Sequence, residues 1–182
     1  MKRSQVGFTL FEMMLALAII AILAAMAVPA LSHFITANHD ALLQSQLLRA
    51  IQLARQEADL RGVPVSICKS SNGETCGGDW SDGLLVLVDE RTVISVTQIN
   101  THHGKVYWRA YPYYRDHLRF MPAKKMSADN GTFWYCRASK VLPAFAIAIS
   151  KSGNGRVVYP DDSGEIKDSR GKIIRCLSPA FI

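Results

Sequence analysis

Phe8 to Val28 reads FTLFEMMLALAIIAILAAMAV, an almost unbroken apolar run in which Glu12 is the single charge. About 20 apolar residues are enough to carry a helix across the hydrocarbon core of a bilayer, so this run is long enough to span one. Lys2 and Arg3 precede it, and basic residues hold their end of a spanning helix on the cytoplasmic side. The rest of the chain is therefore expected outside the cytoplasm. An ordinary secretory signal would have a shorter apolar core followed by a small-residue cleavage site, for which Ala24, Ala25 and Ala30 are the candidates. The length of the run and Glu12 argue against that reading. A carboxylate at membrane depth costs about 2.5 kcal/mol or more, so it is expected to have a partner or a task.

Pro29 is expected to interrupt the helix, because it lacks an N–H and its ring clashes with the preceding turn. Beyond it a helical period resumes, with Leu43, Leu47, Ile51, Ala54 and Ala58 at spacings of three and four forming one apolar stripe. Arg61-Gly62-Val63-Pro64 supplies the stop. A helix from Phe8 to about Leu60 would be about 80 Å long. Then the pattern changes to that of strands: Val63–Cys68, Leu84–Val88, Val93–Ile99, Lys105–Tyr111, Thr132–Cys136, Ala144–Ser150 and Arg156–Tyr159. Turn signals such as Asn72-Gly73, Asp82-Gly83, Asn130-Gly131 and Gly153-Asn154-Gly155 separate them. One long helix followed by seven or eight short strands implies an α+β head of antiparallel sheets packed on the helix stripe. With 182 residues, 49% hydrophobic and 20% charged, the chain has room for one such head and its helix.

The junction Gly7-Phe8-Thr9-Leu10-Phe11-Glu12, a basic leader ending in Gly before a long apolar helix, resembles the signal of type IV pilins and type II secretion pseudopilins. The resemblance implies a leader at residues 1–7, a transmembrane and filament-core helix half at 8–33, and a pilin head at 34–182. It also implies a membrane prepilin peptidase that cuts after Gly7 and methylates Phe8. Glu12 would then be the assembly acid, pairing with the free N-terminal amine of a neighbouring pilin so that the buried charge is neutralised only on stacking. Further along, Arg55-Gln56-Glu57-Ala58, Val65–Gly73, Cys76, Trp80–Val86, Leu118–Pro122, Asn130–Cys136 and Ile149–Val157 resemble the GspH/FimT family of minor pilins and pseudopilins. The implied fold is type IV pilin-like. The implied role is a minor pilin in pilus assembly or priming, with a type II secretion pseudopilin as the alternative. The implied location is the inner membrane with a periplasmic head, then a filament reaching the cell surface.

All four cysteines follow the membrane segment and would face an oxidising compartment. Four cysteines allow three pairings. Cys68 with Cys76, close in sequence around a Gly-rich turn, and Cys136 with Cys176 are the pairs favoured. The second closes a long loop, for which chain entropy suggests about 4 kcal/mol. No CxxC is present and no histidine stands at ligand spacing, so neither a metal nor another cofactor is expected. The sequence also lacks G-x-S-x-G, H-E-x-x-H and a phosphate-cradling Gly-rich loop, so no enzymatic activity is expected. His102-His103 reads as a turn or strand-edge pair. Trp80, Trp108, Trp134, Tyr111, Tyr113 and Tyr114 read as core and sheet packing.

Charge is uneven. Residues 123–182 hold ten Lys and Arg against five Asp and Glu, while residues 1–122 hold eleven against ten. The basic residues of note are Lys151, Arg156, Lys167, Arg170, Lys172 and Arg175. Some FimT-like minor pilins are DNA receptors for natural transformation that use a Gly-Arg-x-Arg stretch, and Gly155-Arg156-Val157-Val158 keeps its first arginine only. A patch binding double-stranded DNA phosphates and a solvated face broken by Asp161, Asp162, Glu165 and Asp168 are both open readings.

Overall fold

The computed structural model describes residues 9–99, 101, 104–122, 129–138 and 140–176. Helix α1 runs Leu10–Arg61 as one element of 52 residues. Pro29 lies inside it, so the expected interruption does not occur. A proline deletes one backbone donor, and when a helix is surrounded by apolar groups the flanking i to i−4 bonds are the sole partners for the remaining donors and acceptors. The Ser32 hydroxyl also donates to the Pro29 carbonyl at 2.8 Å. The helix stops where the sequence says it should: Gly62 takes φ +69°, and its N–H donates to the Ala58 carbonyl at 3.1 Å. A left-handed residue there costs glycine little and others more.

The chain divides into two compact units, Met1–Ala41 and Leu42–Ile182. In the second, eight strands follow the helix among the described residues: β1 (Val65–Lys69), β2 (Gly83–Val88), β3 (Thr92–Gln98), β4 (Gly104–Tyr111), β5 (His117–Phe120), β6 (Asn130–Arg137), β7 (Phe145–Ile149) and β8 (Gly155–Val158). They form two four-stranded sheets, ordered β3-β2-β1-β5 and β4-β6-β7-β8. Every pairing is antiparallel. β5 is the strand that periodicity did not single out; at four residues it is too short to carry a signal of its own.

Both sheets turn alternate residues onto the helix stripe. Leu43, Leu47, Ile51, Ala54 and Ala58, joined by Ala50, form one core with Val65, Ile67, Leu84 and Val86 of the first sheet and Val106, Trp108, Phe133, Phe145 and Ile147 of the second. Ala54 and Ala58 are fully buried. Small side chains there let the sheets approach the helix, and the space beside Gly155 is filled by Leu48 and Ile51. Trp80 and Trp108 meet Phe133 with ring centroids 5.0 and 4.4 Å apart.

Each sheet also has an outer face, and each is partly covered by a strap tied with a disulfide. Cys68, Leu85 and Leu87 make a buried cluster on the outer face of the first sheet. Cys68 bonds to Cys76 in the β1–β2 loop, with Cα atoms 5.6 Å apart. On the second sheet, Cys136 of β6 bonds to Cys176, Cα atoms 5.7 Å apart. Ile166 and Ile174 then pack on Ala146, Trp134 and Val158. The strap is a small hairpin, with Ile174 N–H donating to Ile166 O at 2.8 Å and Asp168 N–H to Lys172 O at 2.8 Å. Its end is fixed by Cys176 N–H donating to Val141 O at 2.7 Å and by the Tyr107 hydroxyl donating to Cys176 O at 3.3 Å. Of the aromatic residues read as packing, Trp80 and Trp108 are in the core and Trp134 lies under the strap, stacked on Tyr107 at 5.4 Å. Tyr111, Tyr113 and Tyr114 are exposed instead. His102 and His103 lie outside the described residues.

Three outcomes are expected. Ile51→Ala, which empties space between helix and sheets, should destabilise the head by about 2–5 kcal/mol in urea denaturation followed by tryptophan fluorescence. Exposed Gln52→Ala should move it by less than about 0.5 kcal/mol. A Cys136→Ser, Cys176→Ser double variant should become sensitive to limited proteolysis between Pro160 and Arg175 first, because the strap rests on few buried apolar residues besides its disulfide.

Candidate functional sites: an apolar helix and a basic cleft

The first site is the start of α1. From Thr9 to His39 every side chain is exposed, and the exposed apolar ones include Leu10, Phe11, Met14, Ile20, Leu23, Met26 and Phe34. A surface of that extent has no counterpart on a protein that lives in water and needs lipid or other helices around it. Glu12 sits in its first turn. The Glu12 carboxylate accepts the Thr9 N–H at 2.9 Å and the Thr9 hydroxyl at 3.0 Å, and Glu12 N–H donates to the Thr9 hydroxyl at 3.3 Å. This is a capping box, which satisfies donors that the helix end leaves open. The spacing Thr9-x-x-Glu12 announces it in the sequence, although the acid alone draws the eye there. Gly7 and Phe8, the expected processing residues, lie outside the described residues.

The second site is a cleft of about 350 Å³ on the outer face of the second sheet, where the C-terminal strap leaves it open. Its floor is small: Gly131 and Thr132 of β6, Ala146 and Ala148 of β7. Gly131 has no room for a side chain, since a Cβ would stand 2.4 Å from the Trp108 ring and 2.5 Å from the Arg109 carbonyl. Arg109 and Tyr111 of β4 stand on one side and Arg156 of β8 on the other, with Lys167 and Arg170 supplied by the strap. Of the six basic residues singled out in the sequence, the fold therefore brings Arg156, Lys167 and Arg170 together. Lys151, Lys172 and Arg175 are exposed and do not line the cleft. Arg109 is the cation that charge counting passed over; it is visible only by following the alternation Lys105, Tyr107, Arg109, Tyr111 along one face of β4.

Asp168 organises the site. Its carboxylate accepts the N–H groups of Arg170 and Lys172, each at 2.9 Å, and the Arg109 guanidinium at 3.1 Å. Partial burial works against the charged form, yet those two N–H groups and the charges of Arg109 and Arg170 hold the carboxyl below its ordinary pKa. The result is a turn pinned to β4 with Arg170 at its tip, the guanidinium 4.8 Å from the centre of the Tyr111 ring. Lys167 is paired with Asp161 at 3.0 Å. Asp161 is held well below the usual carboxylate range by the Ser163 hydroxyl, the Glu165 N–H and Lys167. A carboxyl depressed in this way supports the fold above its ordinary pKa and loses that support as acid protonates it. Among the described residues Arg156 and Arg170 carry no ion pair, so they are the cations of the cleft left for an outside anion. Among the described residues no group of His, Cys, Asp and Glu has the geometry to hold a metal.

The sequence matches the family described as type II transport protein GspH over residues 44–156. It matches the prokaryotic N-terminal methylation motif over residues 2–28. Curated protein sequences give no match. Among solved structures, the type IV minor pilin FimU of Pseudomonas aeruginosa in one crystal form is similar, with 19% identity, 71% of this chain and 94% of that chain covered, and a TM-score of 0.52. A second crystal form of FimU gives 19% identity, 65% and 91% coverage and a TM-score of 0.49. At such identity the first likeness speaks to fold alone, and the fold is the type IV pilin fold. The two family matches point to a structural rather than an enzymatic protein, and the apolar helix with its methylation motif fits a membrane-anchored subunit that enters a filament. The GspH match spans more than half of the chain: this protein belongs to the GspH family, as a subunit of the minor pilin or pseudopilin kind.

Proposed function

We propose that the chain is a minor pilin of a type IV pilus, held in the inner membrane with a periplasmic head until its N-terminal helix joins those of other pilins. The observation that carries this reading is the exposed apolar surface from Leu10 to Ile35 with one carboxylate, Glu12, at its start. A lone acid in hydrocarbon is stabilised by a cation, and the amine of a Phe8 freed by cleavage after Gly7 is the cation that a neighbouring subunit would bring. The capping box supports a division of labour in time: Thr9 occupies the carboxylate until such an amine arrives. Glu12→Ala should therefore sharply reduce incorporation into filaments, measured by immunoblotting of sheared fibres, while the membrane level of the subunit stays unchanged. Normal incorporation of that variant would remove the assembly role. The alternative, a type II secretion pseudopilin, requires a deletion strain to retain substrate in the periplasm with surface pili intact; loss of pili with secretion intact supports the reading preferred here.

A second reading rests on a separate observation, the convergence of Arg156, Lys167 and Arg170 with Arg109 around one cleft. Arg156 and Arg170, which carry no ion pair among the described residues, beside Arg109 paired with Asp168 and Lys167 paired with Asp161, suit a surface-displayed head that receives DNA for uptake. Arg156→Gln with Arg170→Gln should weaken DNA binding at every sequence alike and flatten its salt dependence by about two counterions. Transformation should fall while pili still form. Unchanged binding at low salt in the double variant would leave the basic cleft as a solvated face.

A further inference from the structure

Among the features that assembly leaves without a task, the exposed tyrosines beside the basic cleft are the most informative. Tyr111 lines the cleft and is 46% exposed, and Tyr113 and Tyr114, in the same segment, are 74% and 58% exposed. Three phenol rings within four residues thus stand in solvent where core packing was expected. The Arg170 guanidinium lies over one face of the Tyr111 ring, and the ring stays partly exposed beside that cation.

The shape of the cleft restricts what it can take. Its floor of Gly131, Thr132, Ala146 and Ala148 is low, and its sides, Arg109 with Tyr111 and Arg156 with Val158, belong to the flanking strands β4 and β8. It is a groove between these two strands, with Asp168 and Arg170 of the strap lining it as well. Duplex nucleic acid presents a convex phosphate surface and keeps its base faces stacked inside, so it would touch the rim arginines and leave the groove and the rings unused. A single strand is narrow enough to lie along such a groove, with phosphates at the guanidinium groups and a base free to stack on a ring. Stacking accepts any base, because every base has a π-face, and arginine beside the ring adds a cation–π contribution.

We propose that this cleft is a site for single-stranded nucleic acid, with Arg156 and Arg170 on phosphates and Tyr111 as the stacking platform. The proposal rests on the DNA-receptor reading and narrows it from duplex to single strand. Its test is fluorescence anisotropy of the full-length chain in non-ionic detergent, with an oligothymidine strand and a mixed-sequence duplex of equal length at one salt concentration. The strand should bind about tenfold more tightly than the duplex, and Tyr111→Ala should remove about that factor for the strand while changing duplex binding by less than twofold. Tyr111→Phe, which keeps the ring, should bind the strand like the parent, and unchanged circular dichroism of both variants excludes a folding defect. Equal or tighter binding of the duplex, or a Tyr111→Ala variant that binds the strand normally, overturns the single-strand proposal and leaves the DNA reading standing. Binding of polyglutamate with neither nucleic acid bound overturns both and makes the cleft a docking site for an acidic protein segment.

Discussion

Everything in the head leans on one shared surface, the helix stripe running from Leu43 to Ala58. Two four-stranded sheets are each too small to bury their inner faces alone, and among the described residues no strand of one pairs with a strand of the other. What joins them is that both press alternate residues on the same stripe, so that helix, first sheet and second sheet contribute to one cluster of buried side chains. The fully buried Ala54 and Ala58 keep the approach close, and the larger Leu47 and Ile51 fill the space between the layers. The helix is therefore covered by the sheets along its second part, while its side chains from Thr9 to His39 are exposed.

A three-part core of this kind leaves two outer faces to be managed, and the two disulfides do that work. Neither bond crosses the central core. Cys68–Cys76 draws the β1–β2 loop across the first sheet, and Cys136–Cys176 draws the C-terminal hairpin across the second. Both straps are incomplete covers. One gap is the basic cleft, and the other is a hollow of about 280 Å³ lined by Cys68, Cys76, Leu87, His117 and Arg119. The chemistry of the head surface is thus decided by where the straps stop, and the second strap carries its own functional groups, Lys167 and Arg170, to the edge of its gap.

Most of the scaffold was legible in the residues because it depends on periodicity. A stripe at spacings of three and four is a helix face wherever it packs, and seven of the eight strands follow from alternation and turn chemistry. Strand order was not legible, since alternation tells which residues face inward and nothing about which strand lies alongside. The strap was hidden for a related reason: residues 160–176 bury only Ile166, Ile174 and Cys176, too few for any period to show. The basic site was half visible. Charge counting found Arg156, Lys167 and Arg170 together with three residues that the fold sends elsewhere, and it passed over Arg109, whose strand lies far away in sequence. Tyr111, Tyr113 and Tyr114 misled because aromatic residues are usually packed, and only the fold reveals that these are not. Pro29 misled in the opposite way, as a strong local signal overridden by the hydrogen-bonding needs of a long apolar helix.

The same stripe has a mechanical meaning. When a subunit of this kind is pulled through its helix, force enters the head along the helical segment that ends at Arg61. Within the head the load is parallel to the stripe, so the contacts of Leu43, Leu47, Ile51, Ala54 and Ala58 with both sheets are sheared together. Peeling, in which contacts break one after another at a moving front, is not the geometry offered. A row of modest van der Waals contacts strained in parallel shares the tension, and the helix would have to slide against both sheets at once before the head came apart.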